Sequence, residues 1–200
     1  MKKYDFIVGI DEAGRGPLAG PVCVGAVAAT ANSKSKITDY KILKNIKDSK
    51  KLSAKKREEW GKIIKKNFEC YFTMVGNKII DKIGISKAVL LGVKRVLKKF
   101  SKRPNLVLMD GSLKAPKNYT QKTIIKGDEK VPLISAASII AKVARDKRMV
   151  QLHKKFPKYR FDIHKGYGTK MHYKKIKKSG LSDIHRRSFC KNLTKRNKHA

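Results

Sequence analysis

Acidic residues are scarce in this chain, 15 Asp and Glu against 50 Lys and Arg in 200 residues, so the places where they gather carry information. Asp11 and Glu12 end the apolar run 4–10 and lead into Gly14-Arg15-Gly16. Asp110 ends a second apolar run, 106–109, and precedes Gly111. Carboxylates at strand ends can converge on one sheet edge, where three or more repel and raise one another's pKa. A divalent cation removes that cost, and hard oxygen donors suit Mg²⁺ or Mn²⁺. The competing reading is that each carboxylate caps a turn or pairs with a lysine. For a lone Asp before Gly that reading leads; for adjacent Asp and Glu flowing into Gly-Arg-Gly, chemistry leads. The glycines let backbone approach a ligand and expose its N–H and C=O groups, and Arg15 is able to contact a phosphate. A carboxylate pair beside such a loop is what metal-assisted phosphodiester hydrolysis requires. A tight turn into Pro17 is the bland alternative.

Other segments read either way. Asp128, in Lys126-Gly127-Asp128-Glu129-Lys130, is a further ligand or a solvated loop residue, and spacing favours the second. Lys50 and Lys51 precede a helix start at Ser53, which makes a phosphate seat or simply a charged, capped helix end. Tyr167, between Gly166 and Gly168, stacks on a sugar or base, or packs at a rim. The five histidines lack zinc-ligand spacing, and neither a Ser-His-Asp motif nor a P-loop is visible.

The elements that must position these residues follow from patterning. Strands are expected over 4–10, 21–29, 68–75, 105–109 and 121–125, with helices over 55–67 (Ser53 as N-cap), 86–100 (Ser86 as cap), 133–154 and 171–178. Small residues along 133–154 suit close packing on a sheet. Residues 32–47 read as a basic extended loop or strand pair, and the stretch from about 190 to 200 as a basic tail. With no repeat and no Pro/Gly linker, residues 1–200 read as one α/β domain around a mixed sheet. The net charge of +35 points to a polyanionic partner, for which nucleic acid is the natural candidate, or to a lysine-rich proteome. No apolar run approaches the length needed to cross a bilayer, and residues 1–5 lack the apolar stretch of a signal peptide. Cys23, Cys70 and Cys190 read as reduced thiols of a cytosolic protein.

Several long segments, in order, carry a family resemblance: GIDEAGRGPLAGPV from Gly9, DSKKLS from Asp48, MDG from Met109, KGDEKVPLISAASIIAKVARD from Lys126, HKGYGTKMH from His164 and IHRRSF from Ile184. Across almost its whole length the chain resembles bacterial ribonuclease HII. The resemblance implies a ribonuclease H-like fold, a central mixed β-sheet flanked by helices with a helical C-terminal part. It implies a monomeric endonuclease that cuts the RNA strand of RNA–DNA hybrids and cuts 5′ of ribonucleotides embedded in duplex DNA. The implied chemistry is two-metal hydrolysis with Mn²⁺ or Mg²⁺, giving 3′-hydroxyl and 5′-phosphate ends. Matched by motif, Asp11, Glu12, Asp110 and Asp128 are its catalytic metal ligands. Gly14, Arg15 and Gly16 read the 2′-hydroxyl, Tyr167 stacks on the following deoxyribose, and Lys50 and Lys51 contact phosphates. Asp146 falls on the helix motif and is expected to be structural. The extra N-terminal substrate-binding domain of the related ribonuclease HIII is expected to be absent. Two other classes compete: a non-catalytic nucleic-acid-binding protein, and a different metal nuclease on the same fold such as a resolvase.

Overall fold

The structure is a computed structural model that describes residues 5–30, 42–43, 46, 52–111, 113–191 and 193. Lys50 and Lys51, and nearly all of the basic stretch 32–47 and of the tail, lie outside the described residues.

Runs of Val, Ile, Ala and Phe buried on both faces make the inner strands. β1 (Phe6–Ala13) and β2 (Val22–Thr30) pair antiparallel, from Phe6↔Thr30 to Ala13↔Cys23. β2 pairs antiparallel with β3 (Cys70–Val75). On its other side β1 pairs parallel with β4 (Leu106–Asp110), which pairs parallel with β5 (Gln121–Ile124). The order β3-β2-β1-β4-β5 puts β1 at the centre of a mixed five-stranded sheet.

Helices cover both faces. α1 (Ala54–Asn67) is capped by Ser53, whose hydroxyl accepts from the Lys56 N–H at 3.3 Å. α2 (Asn77–Ile83) was not foreseen, and it runs into α3 (Ile85–Leu97) through Gly84 at φ +80. Gly84, and not Ser86, therefore opens α3, because only a residue tolerating positive φ can make that corner. α3 sets Val89, Val93 and Val96 against Val8, Ile10, Val24 and Met109. The long α5 (Pro132–Lys155), preceded by the short α4 (Gly127–Lys130), covers the opposite face with Leu133, Ala136, Ala137 and Ile140.

α5 lies unusually close to the sheet, and two glycines permit it. A Cβ on Gly9 would sit 2.6 Å from the Leu133 carbonyl carbon, and one on Gly25 would meet the Ala137 carbonyl and stand 2.7 Å from the Ala141 nitrogen. The small residues of α5 thus match glycines on the two central strands.

The C-terminal part contains α6 (Phe161–His164) and α7 (Lys170–Ser179). It is bolted to the segment joining β1 and β2: Leu18 N–H donates to the Gly166 carbonyl at 2.8 Å, Gly20 N–H to Ile184 at 2.9 Å, and Arg186 N–H to Leu18 at 2.7 Å. Among the described residues no helix is long and apolar enough to cross a membrane.

Because both neighbours of Gly25 are helix backbone, which cannot rotate aside, Gly25→Ala should destabilise the protein by about 3 kcal/mol, read as a lowered urea midpoint. An unchanged midpoint would mean that α5 does not pack this closely.

Candidate active site

β1 and β4 run parallel with Ile10 opposite Met109, so Asp11 and Asp110 follow side by side at the strands' carboxyl ends. Side chains alternate along a strand. Ile10 belongs to the α3-side core, which turns Asp11 towards α5, where Ser138 hydrogen-bonds its carboxylate. Asp11 is only 4% exposed, and its Oδ1 accepts the Glu12 N–H at 2.7 Å. Burial pushes its carboxyl well above the ordinary range, helped by the charges of Glu12 and, more weakly, Asp110. Glu12 is raised too, first by burial, with Arg15 opposing. Arg15 Nη1 reaches Glu12 Oε1 at 3.4 Å.

Asp110 Oδ1 accepts the Gly127 N–H at 2.6 Å, which ties β4 to the start of α4. Asp128 follows. It sits in that short helix rather than in a loop, and at 1% exposure it is the opposite of a solvated residue. Its carbonyl accepts from the Ser135 hydroxyl. Asp11, Glu12 and Asp110 are thus brought within electrostatic reach of one another, with Asp128 one residue beyond the Asp110 contact. Among the described residues no group of three or more His, Cys, Asp or Glu side chains is already arranged around a metal site. The donor set is all carboxylate oxygen, partly buried and mutually repulsive, which is the chemistry that fits a hard divalent ion.

Beside the carboxylates, Gly14 takes φ +94, and a Cβ there would stand 2.8 Å from Arg145 Cζ. Gly16 is different. Its missing Cβ would face open space, so nothing in the fold demands a glycine there. Two buried arginines brace this loop, Arg186 through its carbonyls and Arg145 by packing against Gly14. Arg186 donates to Gly14 and Arg15, and Arg145 donates from Nε to the Pro21 carbonyl at 2.9 Å and from Nη2 to that of Lys165 at 3.0 Å. Tyr167 is 39% exposed, and Arg145 and Lys142 lie 5.5 and 5.6 Å from its ring centre. Asp146 pairs with Lys142 at 2.9 Å, a structural role.

Three buried histidines, His164, His172 and His185, seat this turn, and His164 Nδ1 accepts the Gly166 N–H at 3.1 Å. His172 Nδ1 lies 2.9 Å from the Tyr167 carbonyl and so carries a proton, leaving Nε2 to accept. His185 Nδ1 accepts the Ser182 N–H at 2.9 Å, so its Nε2–H donates to His172 Nε2 at 3.0 Å. Burial holds both rings down at about 4, neutral at physiological pH. These histidines and Arg145 and Arg186 were not anticipated as site-building residues. The one signal was their place inside the segments 126–146, 164–172 and 184–189.

A family model described as Ribonuclease HII matches residues 8–192. The chain belongs to the ribonuclease HII family. It is accordingly a hydrolase, an endoribonuclease of the ribonuclease H type acting on RNA–DNA hybrids. The ribonuclease HII of Caldicellulosiruptor bescii is 45% identical over 192 residues, covering 95% of this chain and 89% of that one. That of Pelagibacter ubique is 46% identical, covering 92% and 95%. Among solved structures, ribonuclease H2 from Pyrococcus horikoshii OT3 has the same fold, with TM-score 0.80 at 24% identity over 98% of this chain and 100% of that one. Bst-RNase HIII in complex with Mn²⁺ gives TM-score 0.74 at 18% identity, over 98% and 71%. The ribonuclease H-like mixed sheet with a helical C-terminal part is therefore the fold of this chain.

The raised pKa of Asp11 has a thermodynamic consequence. Over the window from the ordinary value of 3.8 up to its folded value, the folded state holds more protons than the unfolded one. Asp11 therefore lowers stability as pH rises through that window. In EDTA at neutral pH, Asp11→Asn should raise the Tm by a few degrees, and the gain should shrink when Mn²⁺ is added to both proteins. A Tm lowered in EDTA would show that the Asp11 charge is compensated within the fold.

Proposed function

We propose that this ribonuclease HII hydrolyses the RNA strand of RNA–DNA hybrids and cuts 5′ of ribonucleotides embedded in duplex DNA, with two divalent cations, Mn²⁺ or Mg²⁺, leaving 3′-hydroxyl and 5′-phosphate ends. The observation that carries it is the cluster of buried, mutually repelling carboxylates beside a glycine loop that stands open at Gly16. Asp11, Glu12, Asp110 and Asp128 would hold the cations, which when bound supply activation of the attacking water and charge stabilisation for the leaving 3′-oxygen. The Mn²⁺ held by the solved Bst-RNase HIII supports that choice of ion.

The chain's own groups prepare the rest. The Glu12 N–H and Ser138 orient Asp11, and the Gly127 N–H orients Asp110 through Oδ1, leaving Oδ2 to turn to a ligand. The backbone of Gly14, Arg15 and Gly16 presents N–H groups to a ribose 2′-hydroxyl, the group that separates RNA from DNA. Tyr167 offers a half-exposed ring, steadied by Arg145 and Lys142, to the deoxyribose that follows. A basic groove between α1 and α5, lined by Arg57, Lys62, Lys142 and Lys147, leads to Tyr167 and suits a duplex backbone. Lys50 and Lys51 add phosphate contacts in this reading. The enzyme acts as a monomer of one catalytic domain in the cytosol, in keeping with the free thiols of Cys23, Cys70 and Cys190.

Two variants test the two halves of the site on a duplex carrying one ribonucleotide. Asp110→Asn should abolish cleavage in Mn²⁺ or Mg²⁺ while duplex affinity, measured by fluorescence anisotropy, stays within about threefold. Near-normal turnover would remove Asp110 from the chemistry. Gly16→Ala should leave the Tm unchanged, because its methyl meets no protein atom, yet cut kcat/KM on the order of 100-fold by obstructing the ribose. A folded variant with full activity would mean that no substrate approaches Gly16.

A further inference from the structure

Arg186 builds the site but has no part in the cleavage chemistry proposed above. Its side chain is fully buried, and its guanidinium binds backbone: Nη2 donates to the Gly14 carbonyl at 2.7 Å, Nη1 to Arg15 at 2.7 Å, and Nε to Gly20 at 3.0 Å. Its own N–H is fixed to the Leu18 carbonyl at 2.7 Å, and its Cζ lies 5.1 Å from the centre of the Phe189 ring. Burying a charge is costly and adds little stability over an apolar filler of similar volume, so a role beyond packing is expected. The two short bonds go to successive carbonyls, a pairing the rigid guanidinium fork makes readily and a lysine ammonium makes poorly.

The direction of those bonds matters. The described residues contain no cis peptide bond. In a trans peptide the C=O and the following N–H point opposite ways. With the carbonyls of Gly14 and Arg15 turned down onto Arg186, the N–H groups of Arg15 and Gly16 turn away from it. We propose that Arg186 is a positioning residue for ribose recognition: it fixes two successive peptide planes of Gly14-Arg15-Gly16 so that their N–H groups are presented to the 2′-hydroxyl. It acts through the loop and does not touch substrate. The proposal rests on the reading that this loop meets the 2′-hydroxyl, and the test separates the two.

The test compares kcat/KM on duplexes carrying one ribonucleotide or one 2′-fluoro nucleotide at the same position, for wild type and Arg186→Lys, with folding followed by thermal melting. Wild type should strongly prefer the ribonucleotide. A folded R186K should keep its KM for the duplex within about threefold while the preference falls on the order of 10-fold or more. A folded R186K with an unchanged preference, or with equal loss on both substrates, overturns the positioning role. A wild type without preference overturns the 2′-hydroxyl reading itself and the proposal with it. If R186K does not fold, NMR of the wild-type guanidinium decides. Separately resolved, slowly rotating Nη groups for Arg186 support the clamp, and averaged ones overturn it.

Discussion

Carboxylates held partly out of water, side by side at the carboxyl ends of adjacent parallel strands, are the constraint around which this molecule is organised. Without a counter-charge, Asp11 resists ionisation because it is buried and because Glu12 and Asp110 stand near. Arg15 offsets part of the charge on Glu12, but from a half-exposed position. A fold that places this cluster at its centre must hold it rigidly. β1 is rigid because it is hydrogen-bonded on both sides and pressed by helices above and below. The close seating of α5 on Gly9 and Gly25 brings Ser138 to Asp11 and carries Arg145 beneath Gly14.

The second tier is built of buried groups that bond to backbone. Arg145, Arg186, His172 and His185 join the loop after β1, the turn at Tyr167 and the segment 184–186 into one polar assembly. Neutral tautomers suffice for the histidines, and carbonyl dipoles solvate the guanidiniums. The consequence is that the loop proposed to read the ribose and the ring proposed to read the next sugar are anchored to the same interior groups, so their spacing is set by the core.

Much of the sheet was legible in the sequence because β1 and β2 are buried on both faces and read as nearly unbroken apolar runs. The same holds for α5 and for the Ser53 cap. What was not legible has physical reasons. α2 and α3 start at glycines without side-chain caps, so Ser86 offered a capping signal two residues late. Asp128 sits among Lys126, Glu129 and Lys130, a composition that reads as solvated, yet the contact of Asp110 with Gly127 draws α4 inward. In a chain with 50 Lys and Arg, two buried arginines cannot be told from surface ones by composition. Only tertiary contacts distinguish them. The Asp11-Glu12 pair and the Gly-Arg-Gly loop stood out early because acidic residues are rare here and because glycine flanking an arginine has little value in a strand.

The central claim is that Asp11, Glu12, Asp110 and Asp128 together hold the divalent ions that drive cleavage. Its most direct test is anomalous scattering from Mn²⁺ in crystals of the protein with a duplex containing one ribonucleotide. Mn²⁺ peaks bounded by these four carboxylates and the phosphate 5′ of the ribonucleotide are the expected result. Peaks elsewhere, or none among the four carboxylates with the duplex seated in the site, would contradict it.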